Sequence, residues 1–257
     1  MKIWYELPRP AKGPEVFHER LLSNWSKVGS PDTKLVIKSP KIGTKEFEYS
    51  IVGNLYADFL RSIEMSEGII QAEKEGYDGA VIGCFADPGL DVLQTLVDIP
   101  VLAPARAAMI MGQLLGRKMV FITLPFWEEG IENLVRKNGA ENFVLPYRPC
   151  RALNLPLEKF GDDELLLQGF LKLSREAIKE GADVIIFACA VSSTFLTNKG
   201  VTDVDGVPVL DGALAAIKLV ETLARYKSAG LWKAKKTITK KVMDGLRDAY
   251  YHGLPSV

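Results

Sequence analysis

The sequence has little of what metal sites, disulfide scaffolds and membrane spans are built from. Its 257 residues hold three cysteines and two histidines, His18 and His252, with no CxxC pair and no Cys/His grouping. Widely spaced, odd-numbered cysteines exclude a disulfide framework, and without clustered ligands a structural zinc site is not expected. No apolar run approaches the roughly 20 residues of a membrane helix, and the opening Met1–Pro8 lacks the apolar core of a signal peptide. Net charge is missing as well, since Lys+Arg and Asp+Glu both number 32. Such a chain has no long-range pull toward nucleic acid or an anionic membrane, so a cytoplasmic protein with a small-molecule partner is expected. No strong Gly-rich phosphate loop is present either.

What the sequence does contain is a repeat. Gly76-Tyr77-Asp78-Gly79-Ala80-Val81-Ile82-Gly83-Cys84 and Gly181-Ala182-Asp183-Val184-Ile185-Ile186-Phe187-Ala188-Cys189 both read as a turn, a buried strand and a cysteine at the strand's carboxyl end. The cysteines stand 105 residues apart, and Ala72–Gly76 matches Ala177–Gly181 at the same offset. Ile99–Ala103 is echoed by Val207–Asp211, and Ala105–Ala108 by Ala213–Ala216, now at an offset of 108. One three-residue shift after the second cysteine reconciles the halves. The chain is a duplicated unit with one thiol per copy.

Around these copies the pattern alternates. Strands are predicted over 2–7 and 34–38, and helices over 14–25 and 54–75, with a polar loop at 39–50. After Cys84, Asp87 and Pro88 read as the cap and first residue of a helix, whose dipole would favour a thiolate. There follow a strand at 100–103, a helix at 104–115, a strand at 119–123, a helix at 125–138 and a strand at 142–145. Residues 146–161 read as irregular, 162–180 as a helix, 194–207 as part of a loop and 211–228 as a helix. The lysine-rich stretch 232–241 reads as a solvated face leading into a last helix over 240–251.

The fold class expected is therefore α/β, with two pseudo-symmetric doubly wound parallel-sheet lobes and the active site in the cleft between them. Residues 1–112 plus 214–257 would form the lobe carrying Cys84, and 113–213 the lobe carrying Cys189. Two strand-end thiols facing one cleft suit a reaction that takes a proton from one face of a stereocentre and returns one to the other. A thiol lies within tuning distance of neutral pH, so one can act as acid while its partner's thiolate acts as base. A single buried cysteine is an ordinary core residue. Recurrence at equivalent positions of two diverged copies is what marks this pair, whereas Cys150, outside both copies, reads as structural.

The segment Gly76–Leu90, with its Cys84-Phe85-Ala86-Asp87-Pro88-Gly89 core, and the run Val97–Val101 resemble the first-cysteine region of hydantoin racemases in the aspartate/glutamate/hydantoin racemase superfamily. Gly181–Cys189 and Val207–Gly212 resemble the second. The resemblance implies a cofactor-independent two-base racemase of hydantoin-like cyclic ureides or related amino-acid derivatives, with Cys84 and Cys189 as the catalytic pair. It also implies substrate contacts from the backbone N–H groups of Phe85, Ala86, Ala190 and Val191 and from Thr123, and a homo-oligomer, for which Trp127 and Trp232 read as exposed aromatics. Tyr5–Pro10 replaces the family's usual Asn-Pro-Asn-Thr/Ser motif, and Val191 stands where the family commonly has glycine. Maleate-isomerase-like, decarboxylase-like and non-catalytic binding readings stay open at this stage.

Overall fold

The computed structural model describes residues 1–8, 15–40, 54–156, 159, 162–233 and 240–253. Most of the expected loop at 39–50 and of the lysine-rich stretch lies outside them. The first half of the chain holds β1 (Lys2–Glu6), α1 (Glu15–Val28), β2 (Lys34–Lys38), α2 (Leu55–Lys74), β3 (Gly79–Ile82), α3 (Leu90–Leu96), β4 (Val101–Leu102) and α4 (Pro104–Leu115). The second holds β5 (Met119–Thr123), α5 (Glu128–Lys137), β6 (Cys150–Ala152), α6 (Asp163–Lys179), β7 (Val184–Phe187), α7 (Ala190–Asn198), β8 (Asp203–Val204), β9 (Val207–Leu210) and α8 (Gly212–Ser228), and α9 (Lys240–Gly253) follows.

The strands form two sheets, ordered β2-β1-β3-β4 and β6-β5-β7-β9-β8. Leaving aside β8, which pairs antiparallel with β9, both sheets are parallel and have the same order. The duplication read at one strand thus extends across each sheet. Both faces of both sheets are buried, which is why their strands are near-continuous apolar runs. Trp4, Ala80 and Ile82 meet Met65, Ile69 and Leu93 on one face of the first sheet, while Ile3, Tyr5 and Val81 meet Phe17, Leu21, Ile217 and Val220 on the other.

The halves are locked by an exchange of helices. α4 follows the first sheet, yet its Ala105, Ala108 and Met109 pack on Met119, Phe121 and Ile186 of the second. α8 follows the second sheet, yet Ala213, Ile217 and Val220 pack on the first. The two helices also pack on each other. Glycine permits the close approaches: a Cβ on Gly79 would lie 2.5 Å from Val220 Cγ1.

Several expectations change. Residues 141–143 form a 3-10 turn, with only a single bridge from Val144 to Met119 in place of the expected strand. The stretch read as irregular contains the edge strand β6. Residues 194–198 are helical, because the buried Ser192–Leu196 segment of α7 packs against the sheet and α1 and overrides the weak helix propensity of its serine, threonine and valine residues. Asp87 does not cap α3. The N-cap is Gly89, and the Asp87 carboxylate instead accepts hydrogen bonds from the Ala105 and Arg106 N–H groups of α4 at 2.9 and 2.8 Å. Trp127 is buried in the second-sheet core with Ile131 and Leu134, so it offers no exposed aromatic surface.

Candidate active site

Each predicted thiol stands two residues beyond the third strand of its half, where β3 ends at Ile82 and β7 at Phe187. The preceding residue is pinned to the neighbouring strand identically in both halves: Gly83 N–H donates to the Glu6 carbonyl and Ala188 N–H to the Ile122 carbonyl, each at 2.7 Å. Beyond that point the halves differ. Cys189 is itself the N-cap of α7, so it faces first-turn N–H groups that have no intrahelical partners. Cys84 enters a turn closed by Asp87 N–H to its own carbonyl at 3.1 Å, with Asp87 at φ 49°.

Cys84 is consequently not the helix-activated thiolate expected from the sequence. Burial pushes its thiol up to about 11, against the pull of the Arg61 guanidinium and an Ala86 N–H directed at the sulfur; Asp58 and Cys189 push it further up. The last of these influences shows that the two thiols lie within electrostatic reach of each other. A second group feels both thiols: the Tyr5 hydroxyl.

The other predicted residues fall around this point in different ways. Phe85 is buried, its ring edge-on to Phe121 with centroids 6.4 Å apart, and it lies against Gly212, where a Cβ would be 3.0 Å from its Cε2. Its side chain therefore joins the halves. Ala190 is buried at the start of α7, whereas the Val191 side chain is exposed. Thr123 ends β5 one residue past the Ile122–Phe187 pair, fully buried, and its hydroxyl has no hydrogen-bond partner among the described residues. Cys150 lies in the core opposite Phe121, its thiol pushed up to about 12 by burial and by Glu128 and Glu132.

Comparison with known proteins places this arrangement. The profile of the Asp/Glu/Hydantoin racemase family matches residues 22–220. The chain belongs to that family. A hydantoin racemase of Pseudomonas sp. (strain NS671) is 30% identical over 194 residues, covering 75% of this chain and 74% of that protein. A hydantoin racemase of Rhizobium meliloti is 35% identical over 158 residues, 60% of this chain and 64% of that protein. Among solved structures, allantoin racemase from Klebsiella pneumoniae superimposes with a TM-score of 0.75 at 24% identity, over 91% of this chain and 90% of that one, a likeness of fold. Membership of the racemase family makes the chain an isomerase.

For this racemase-family chain the structure adds groups that sequence reasoning passed over. Arg61 and Asp58, paired at 3.0 Å on α2, act electrostatically on Cys84, and Arg61 Nη2 is buried without a partner among the described residues. An i,i+3 ion pair on a helix is too ordinary a pattern to reveal that. Asp211 caps α8 through the Ala213 and Leu214 N–H groups at 2.9 and 3.2 Å and accepts from Ser193 Oγ at 3.2 Å; burial raises its pKa. No helix among the described residues is long and apolar enough to cross a membrane.

Proposed function

We propose that this racemase interconverts the enantiomers of a hydantoin-like cyclic ureide, or a related amino-acid derivative, by cofactor-independent proton exchange through Cys84 and Cys189. The observation that carries the reading is the placement of one thiol beyond the third strand of each of two matching sheets, each within the other's electrostatic reach. The names of the relatives support the substrate class. A ring carbonyl beside the stereocentre makes its proton removable. One sulfur takes that proton as a thiolate, S–H forming as C–H breaks, and the electron pair moves onto the carbonyl oxygen. The opposite thiol then delivers its proton to the other face as the pair returns to carbon. Cys84, held protonated by burial, starts as the acid.

The N–H groups of Phe85, Ala86, Ala190 and Val191 and the Thr123 hydroxyl, which has no partner among the described residues, would hold substrate oxygens. Residues 1–112 with 214–257, and 113–213, are the two lobes of this reading, with α4 and α8 at their seam. It also takes the protein as a cytoplasmic homo-oligomer with a small-molecule partner and no nucleic-acid partner; three free thiols suit a reducing compartment. The test is Cα deuterium exchange in D₂O with single-enantiomer hydantoins and allantoin. Wild type should racemise with deuterium uptake, and Cys84→Ser and Cys189→Ser should each lose about 10²–10⁴-fold in racemisation while still exchanging one enantiomer. Racemisation surviving in both variants, or no exchange with any cyclic ureide, would sink the proposal.

A further inference from the structure

The Tyr5 hydroxyl feels both thiols. Tyr5 sits on β1 between Ile37 and Val81, fully buried, its ring 6.2 Å from that of Phe17. The ring lies across the backbone that leads into Cys84: a Cβ on Gly83 would be 3.0 Å from Tyr5 Cζ, the atom bearing the hydroxyl, and nearer still to Cε1. Glycine at 83 is therefore what admits this ring. Despite full burial, the hydroxyl has no hydrogen-bond partner among the described residues. A buried tyrosine hydroxyl normally finds one, and leaving it unmet is destabilising. Burial, Asp211 and the two thiols all hold the phenol protonated, so it can only be a donor awaiting an acceptor or a weak acceptor.

The second half sharpens the point. Tyr5 pairs with Val81 as Phe121 pairs with Ile186, and Val81 and Ile186 are equivalent in the repeat, so the counterpart of Tyr5 is a phenylalanine. The core accepts a plain ring at this position, and the hydroxyl is an addition made once. One donor within electrostatic reach of two bases matches the chemistry of two-base racemisation, in which both directions share a single enolate oxygen.

We infer that Tyr5 is a further catalytic residue, donating its hydroxyl hydrogen bond to the substrate carbonyl oxygen on which charge collects when either thiolate removes the proton. The inference rests on the two-thiol reading above and deepens it. The proton stays on the tyrosine throughout; only the hydrogen bond strengthens as the enolate forms.

The test compares wild type with Tyr5→Phe, which keeps the ring. Kcat should fall about 10²-fold, the loss typical of one oxyanion donor, equally in both directions, while Tm stays level or rises because an unmet hydroxyl has gone. Undiminished racemisation in Tyr5→Phe overturns the inference and leaves the two-thiol reading standing. A loss in one direction only, or a fall in Tm that accounts for the lost activity, also overturns it. Wild type inactive on every cyclic ureide removes the two-thiol reading and this inference with it. If Tyr5→Phe does not fold, a fluorotyrosine at position 5 preserves the packing; rates that follow phenol acidity support the role, and insensitive rates sink it.

Discussion

The two halves of this racemase share a strand order and a thiol position, yet they surround those thiols with different chemistry. Where the first half has Tyr5, Glu6 and Gly83, the second has Phe121, Ile122 and Ala188 at the equivalent pairings. Even the shared need to cap the helix after the fourth strand is met differently. In α4 the acceptor for Ala105 and Arg106 is Asp87, brought from the Cys84 turn; in α8 the acceptor for the equivalent Ala213 and Leu214 is Asp211 at the N-cap itself. A duplicated backbone repeats its hydrogen-bond demands, and any nearby carboxylate can satisfy them. The first half concentrates buried ionisable and tightly packed groups; the second, at those positions, is plain core.

That contrast can be broken in three ways. The largest effect is expected at Glu6, whose carboxyl is pushed up to about 7, chiefly by burial, with the Trp4 indole N–H and Lys38 opposing. A group raised in the folded state stabilises fully below its unfolded pKa, and that contribution is lost as pH rises through the folded value. Relative to Glu6→Gln, wild type should therefore lose on the order of 3 kcal/mol between about pH 4 and about pH 8. Urea unfolding of both proteins across that range checks it, and a pH-independent difference would show that Glu6 is no such liability.

The next effect is at Cys84. A thiol held near 11 should alkylate about 10²-fold more slowly than free cysteine near neutral pH, and Arg61→Gln should slow it further because the guanidinium is what draws the thiol down. Iodoacetamide rates followed by peptide mass would show this; a Cys84 as reactive as free cysteine contradicts it. The smallest effect compares equivalent positions. Gly83→Ala forces a Cβ to 2.5 Å from the Glu6 carbonyl oxygen and against Tyr5, and should destabilise by about 1–3 kcal/mol. Ala188→Gly should cost under about 1 kcal/mol. Equal losses would mean that Gly83 is not shaped around Tyr5.

Much of the fold was legible because it rests on local pattern. β3 and β7 were readable as apolar runs bounded by glycine, α4 from Pro104, and α8 from its amphipathic pattern over 211–228. The misreadings fall where local pattern is weak or outvoted. β6 has three residues and exists because β5 offers it an edge. α7 opens on Ala190-Val191-Ser192-Ser193-Thr194, a poor helix former, but Asn24 donates to the Thr194 carbonyl at 2.9 Å and Ser193 reaches Asp211, so tertiary partners fix it. Asp87 followed by Pro88 has the signature of a local cap, yet its carboxylate serves a helix that begins at residue 104.

The sequence by itself determined the duplication, the parallel α/β class and the position of one thiol at the end of a strand in each copy. Those follow from turn residues, burial periodicity and spacing, which act over a few neighbours. Only the tertiary structure decided that α4 and α8 trade sheets, that Tyr5 lies within electrostatic reach of both thiols, and that burial raises the Cys84 thiol where a helix end was expected to lower it. Desolvation and Coulomb interactions depend on which groups come close in space, and for this site those groups arrive from β1, α2 and the start of α8, far from either cysteine in the chain.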